Sequence, residues 1–201
     1  MTGTVVITFP YSKEEAERIA EFLGADVMEY SAEIFKQVFS QKKRIVGLMS
    51  MGIVVRKIAP LLDDKWTDPA VVVVSPDMRF AVPVLGGHHG ANELAKELAG
   101  IGFIPVITTA TESRGRDSVE TIADRTGTDV LNRDSTREVN AAILTNDIPV
   151  HAVQGPGIVL AGPDVSVLIR KGTYSVGVGC RKGIRADEVA LAVEEALAEN
   201  G

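Results

Sequence analysis

The chain has one cysteine, Cys180, in 201 residues. That excludes an internal disulfide and a cysteine cluster for a metal. It lacks an apolar run of about eighteen residues, the length a membrane-spanning helix needs. The N-terminus passes straight into Thr4-Val5-Val6-Ile7-Thr8-Phe9 with no basic region or small-residue cleavage site, so no signal peptide is expected. A basic surplus is also missing: the net charge is −6, which argues against a nucleic-acid partner. There is no phosphate-loop motif, no G-x-S-x-G elbow, no H-E-x-x-H pair, no internal repeat and no low-complexity segment. These absences lead to the expectation of a cytoplasmic protein with no membrane contact. An anionic ligand would need a local basic patch to overcome the overall negative field.

What is present is a core. Hydrophobic residues make up 45% of the chain, enough for one large α/β domain or two small ones. Thr4–Phe9, Val27–Tyr30, Arg44–Met49 and Ala70–Ser75 read as strands. Between the first three lie helical faces: Ala16, Ile19, Ala20 and Leu23, opened by a Ser12/Glu15 capping box and closed by Gly24, then Ile34, Phe35, Val38 and Phe39. A helix from Ile53 to Leu62 follows the third strand. Pro76-Asp77-Met78 is too short to connect anything but an antiparallel pair, so Arg79–Leu85 runs back along Ala70–Ser75. Ile104–Thr108 is a further strand, and Ser118 caps a helix to Thr126. Beyond it come a short strand at Val130-Leu131, a helix with Val139, Ala142 and Ile143 inward, an edge strand Ile148–Val153, a Gly/Pro-rich turn Gln154–Pro163 and a strand Val165–Ile169. Alternating strands and helices imply a Rossmann- or flavodoxin-like, mostly parallel sheet flanked by helices, plus a smaller C-terminal α/β portion. The expected division is an N-terminal α/β domain over 1–126, a middle α/β region over 127–172 and the incomplete start of a C-terminal domain over 173–201.

The densest chemistry lies at Leu85-Gly86-Gly87-His88-His89-Gly90-Ala91-Asn92-Glu93-Leu94, between a strand and the helical face Ala91, Leu94, Ala95, Leu98. Two of the three histidines are here. A neutral imidazole is a general base near pH 7, and Glu93 follows His89 by one helical turn. Asn92 could orient a carbonyl, and the amides of Gly86, Gly87 and Gly90 could face an oxyanion. The alternative is a capping turn with solvated histidines. A second strand-to-helix turn, Ser50-Met51-Gly52, offers the Gly52 amide and Arg56 to a carboxylate, unless Arg56 pairs with Asp63, Asp64 or Asp68. Both turns are expected at the carboxyl edge of the sheet, where ligands of α/β folds bind. Lys65-Trp66-Thr67-Asp68-Pro69 is a lid or a rigid corner. Thr108, Thr109 and Thr111, with Glu112, end a strand and are ligand contacts or ordinary turn residues. Arg181 and Lys182 sit in a glycine-rich turn without dinucleotide spacing. Cys180 reads as a small buried residue and His151 as a strand histidine.

Four stretches agree in series with one family. Gly52–Leu62, Lys65–Val73, Gly87–Ala95 and Pro105–Thr111 resemble the cobalamin biosynthesis protein CbiG, and Val176–Gly183 looks like the opening of that family's C-terminal domain. The family's turn reads close to Ser-Gly-His-Leu-Gly-Gly-Ala-Asn-Glu. The turn here is one residue shorter, His88 matches the family histidine, and His89 is additional. The resemblance implies a cobalt-precorrin-5A hydrolase. Water opens a δ-lactone on a cobalt-bound tetrapyrrole, acetaldehyde leaves, and cobalt-precorrin-5B remains. The cobalt belongs to the substrate, so the resemblance implies no protein-bound metal and no cofactor. The macrocycle's carboxylates would suit Arg56, Lys57, Lys65, Arg181 and Lys182, with His88, His89 and Glu93 as the catalytic candidates. A non-catalytic tetrapyrrole carrier and, further off, a nucleotide-binding regulator are the competing readings. A homodimer or a separate C-terminal-domain partner would complete the short tail.

Overall fold

Alternate residues of the long strands point to opposite sides, and both sides are covered. Val6, Val46, Val72 and Val74 face one helical layer, and Val5, Ile7, Ile45, Val71 and Val73 face the other. Strands buried on two faces need unbroken apolar runs, which is why these stretches carry almost no polar residue. In the computed structural model, which describes residues 3–152, 157–161 and 165–170 and positions 188 and 191, the elements of this layer are β1 (Thr4–Thr8), α1 (Lys13–Leu23), β2 (Asp26–Glu29), α2 (Ile34–Phe39), β3 (Arg44–Leu48), α3 (Met51–Ile58), β4 (Ala70–Val74), β5 (Phe80–Leu85), α4 (Asn92–Leu98) and β6 (Ile104–Pro105). They form a six-stranded sheet in the order β2-β1-β3-β4-β5-β6. Helices α1 and α4 pack on one face, α2 and α3 on the other. Gly24 ends α1 in the left-handed conformation, as expected. Ser12 makes no side-chain cap, because a 3-10 turn over Pro10–Ser12 precedes the helix.

The four strands β2, β1, β3 and β4 are parallel. β5 is antiparallel to β4, and β6 parallel to β5. This reversal has a geometric consequence. The end of β5 lies at the amino edge of the four parallel strands, while the turn after β3 lies at their carboxyl edge. The two glycine turns therefore stand on opposite edges of the sheet. The expectation that both share the carboxyl edge is corrected, and the reason is the short Pro76–Met78 connection itself. An irregularity in the pairing between Val71 and Val72 of β4 bends β5 as it leaves the sheet towards Gly86.

A second layer follows. Its elements are α5 (Val119–Thr126), β7 (Thr128–Val130), α6 (Thr136–Thr145), β8 (Val150–Ala152), β9 (Gly157–Ala161) and β10 (Val165–Arg170). The strands form an antiparallel sheet in the order β7-β10-β9-β8, with β8 at an edge. β9 lies inside the stretch Gln154–Pro163 expected to be a turn, so that expectation is corrected: Ile158 and Leu160 supply the pairing apolar residues. Ser118 caps α5 by accepting the Thr121 amide at 3.0 Å. Val119, Ile122 and Ala123 of α5 pack with Val139, Ile143, Leu160 and Leu168, so this helix covers the second sheet. Trp66, from the loop before β4, packs onto the same cluster and ties the layers together. Among the described residues, no helix is long and apolar enough to cross a membrane. Cys180, Arg181 and Lys182 lie outside the described residues, as does the side chain of His151.

Candidate functional site

The turn after β5 is shaped by two glycines. Gly86 has φ +70°, and a Cβ there would meet Ala70 Cα at 3.1 Å and the Pro69 carbonyl oxygen at 3.3 Å. At Gly87 a Cβ would meet Thr109 Cγ2 at 2.7 Å. The chain thus threads between the start of β4 and the loop after β6, which only glycine permits. Gly86→Ala is expected to cost about 1–3 kcal/mol through the left-handed conformation and the backbone contact. A urea titration measures it; an unchanged midpoint would show that the turn relaxes freely.

Three amides at the end of the turn are engaged internally. His89 and Ala91 donate to the Gly86 carbonyl at 2.8 and 3.0 Å, and Asn92 donates to the Gly87 carbonyl. The His89, Ala91 and Asn92 amides are therefore not offered to an oxyanion. His89 and Gly90 lie outside helical geometry, so the His89–Glu93 spacing is not a helical turn. Glu93 sits half-exposed beside Lys96 at 3.9 Å. Partial burial pushes its carboxyl up, with Glu112 adding to the rise. The expected His89–Glu93 partnership is not formed.

Two other carboxylates stand by the histidines. Glu112 lies 3.6 Å from His88 Nδ1. Its Oε2 accepts hydrogen bonds from Asn92 Nδ2 and Thr109 Oγ1. Asn92 Nδ2 also donates to Thr109 Oγ1 at 2.9 Å. Glu120, on α5, is 3% exposed. It receives Lys65 Nζ at 3.3 Å and Asn140 Nδ2 at 2.7 Å. Burial alone would raise its carboxyl, but the Asn140 bond, its own backbone, Lys65 and His88 bring it below the usual value. His89 packs on Trp66 with ring centroids 4.9 Å apart, and Lys65 and Arg133 each lie over that indole. Burial lowers the His89 imidazole below its ordinary value of 6.5; Lys65, His88 and Arg133 lower it further, against the pull of Glu120.

Lys65, Asp68, Leu85, Gly86, Gly87, His88, His89 and Glu120 line a cavity of about 140 Å³. Among the described residues, the buried side-chain polar atoms without a hydrogen-bond partner are His88 Nδ1, His89 Nε2, Asn92 Oδ1, Thr111 Oγ1 and Glu112 Oε1. All five belong to this turn and to the loop beside it. Buried polar groups are normally satisfied, so such a concentration marks a place for a polar ligand.

The structure thus brings His88, His89, Gly86, Gly87 and Lys65 to one cavity, with Asn92 and Thr109 behind it. Gly90 belongs to the same turn, Thr111 is buried in the loop behind it, and Thr108 is exposed. Gly52 and Arg56 are on the opposite edge. Arg56 donates to the Gly52 carbonyl at 3.0 Å and has no carboxylate partner among the described residues. Lys57 donates to the Ala32 carbonyl there. Sequence reasoning missed Glu112, Glu120, Trp66 and Arg133 as neighbours of the histidines. A capped helix beginning Ser118-Val119-Glu120 carried one available signal, because a polar residue in the helix's first buried turn needs a partner.

Fold and cavity define a doubly wound α/β protein with a histidine-lined polar site built from two layers. Residues 33–112 match the family described as Cobalamin synthesis G N-terminal. Cobalt-precorrin-5A hydrolase from Priestia megaterium is 28% identical across 95% of this chain and 61% of its own length. The enzyme of that name from Salmonella typhimurium is 40% identical over 46% of this chain and 27% of its own. The crystal structure of a cobalamin biosynthesis protein G homolog from Sulfolobus solfataricus superposes with a TM-score of 0.52 at 24% identity, over 76% of this chain and 51% of that one, which establishes the shared fold. Over residues 33–112 the chain is thus similar to the cobalamin synthesis G family. It spans about six-tenths of the Priestia relative's length.

Proposed function

We propose that the chain hydrolyses cobalt-precorrin-5A, opening its δ-lactone and releasing acetaldehyde to leave cobalt-precorrin-5B. The observation that carries this reading is the set of unpartnered buried polar atoms around two histidines at one small cavity. The names of the relatives supply the substrate. Sites that enclose a drug-sized molecule have about 300–1,000 Å³. At about 140 Å³ this one admits an edge of the substrate, so the macrocycle lies across the mouth and its lactone enters. The cobalt arrives with the substrate.

His89 is the favoured base. Burial keeps its ring neutral at pH 7, and its Nε2 is buried without a partner. It takes a proton from water as the oxygen attacks the lactone carbonyl. Lys65, positioned by Glu120 and by Thr136 at 3.3 Å, stabilises the charge that develops on the carbonyl oxygen. Ring opening leaves a hydroxyl on the two-carbon unit. Loss of its proton and cleavage of the carbon–carbon bond then expel acetaldehyde, with the electron pair passing to the macrocycle and a proton restored there. His88 is the second base at the same cavity. The cytoplasm is the proposed location, and gel filtration distinguishes a homodimer from a chain that needs a separate C-terminal partner.

The test is an anaerobic incubation of the purified chain with cobalt-precorrin-5A, with acetaldehyde assay and mass spectrometry of the tetrapyrrole. One acetaldehyde per substrate supports the hydrolase. Substrate recovered bound but unchanged identifies a carrier instead, and neither release nor binding overturns both.

A further inference from the structure

We propose that Glu112 is a positioning residue for His88: its carboxylate receives the Nδ1–H of that ring and so fixes the tautomer whose Nε2 is left free to accept a proton. The inference rests on the hydrolase reading of the same cavity. The sequence offered Glu112 as a ligand contact or turn residue at the end of the Thr108–Glu112 stretch, and not as a neighbour of His88.

Three observations support it. First, the carboxylate is held. Its side chain is 8% exposed, and Asn92 and Thr109 both donate to Oε2. Asn92 is itself fully buried at the start of α4. Second, the same oxygen is the one nearest His88 Nδ1, at 3.6 Å, and that nitrogen is buried and has no other partner. Catalytic hydrogen bonds are often this long before substrate binds and tighten with it. Third, both of the carboxylate's neighbours on the protein side are donors, so it must act as the acceptor. A ring nitrogen facing it gains by carrying a proton, which leaves the other nitrogen free to accept one. This is the logic by which a buried carboxylate orients a catalytic imidazole. The charged and titratable groups around His88 are Glu112 from the loop, Lys96 and Glu93 from α4, His89 from the turn, and Glu120 and Lys65 from the other side of the cavity.

The test has a readout that does not depend on turnover. The long-range proton–nitrogen spectrum of ¹⁵N-histidine protein is recorded at about pH 8.5, about two units above the ordinary imidazole value. Assignment comes from H88Q. Wild-type His88 is expected to carry its proton on Nδ1. Glu112→Ala should move it to Nε2, and Glu112→Asp should restore the wild-type pattern in part. With substrate, E112A should lower kcat about 100-fold and leave KM within about threefold. A wild-type ring already protonated on Nε2 overturns the inference, as does an E112A spectrum identical to wild type. The wild-type spectrum decides the matter even if E112A does not fold. If the tautomer behaves as expected and the wild type releases no acetaldehyde, the hydrolase reading fails and the ring's orientation by Glu112 stands.

Discussion

Replacing His89 by glutamine is expected to cut acetaldehyde release by about 100- to 10,000-fold, the range over which a general base contributes. Glutamine keeps most of the side chain's volume against Trp66, so the thermal midpoint should move little. The pH profile carries the sign of the argument. A base must be neutral to accept a proton. Burial, with help from Lys65, His88 and Arg133, holds the His89 ring below 6.5. The acidic limb of kcat/KM should therefore fall below pH 6.5. Lys65→Met removes a neighbouring cation and leaves Glu120 unpaired, and both changes favour the protonated ring. The limb should move upward in that variant. A limb that stays in place would remove His89 from the role of base.

Removing the carboxylate of Glu120 should produce the largest loss of stability. Glu120→Ala takes the carboxylate acceptor from Lys65 and Asn140, leaving Lys65 only Thr136, and opens a gap at the base of α5. Breaking a buried, hydrogen-bonded ion pair costs about 3–5 kcal/mol when both partners are buried. Lys65 is 59% exposed, so about 2–3 kcal/mol is the better expectation here. Glu120→Gln retains the Asn140 contact and should cost about 1–2 kcal/mol. The pH dependence follows from the folded carboxyl lying below its ordinary value of 4.5. Stability from the charged form is complete above that value and is lost as pH falls through the lower folded one. The gap between wild type and E120Q, measured by urea unfolding at pH 7, 5 and 4, should therefore narrow towards acid. A gap that persists unchanged at the most acidic point would mean that the charge contributes nothing. Because Glu120 holds the Lys65 loop over the cavity, both variants should also lose activity.

Much of this architecture is readable before any coordinates. Val71, Val72 and Val73 form a buried strand because nothing polar interrupts them, and Leu94, Ala95 and Leu98 mark a covered helix face. The cap at Ser118 and the stop at Gly24 follow from local hydrogen bonding and backbone freedom. The site was only half legible. His88 and His89 announce themselves by sitting among glycines. Glu112 and Glu120 do not, because Glu112 reaches Asn92 across twenty positions and Glu120 reaches Lys65 across fifty-five.

The pairing of Gly52–Arg56 with the histidine turn is the instructive error. The sequence already contained the short Pro76–Met78 turn that reverses β5. Working out which edge the next glycine turn occupies, however, requires the strand order, and strand order is a property of nonlocal pairing. By itself, then, the sequence determined most of the elements, the buried faces and the histidine-bearing glycine turn, since each depends on neighbours within a few positions. The tertiary structure alone decided which carboxylates meet those histidines, and that Arg56 stands on the far edge of the sheet, because those contacts depend on how the strands pair and the two layers close on one another.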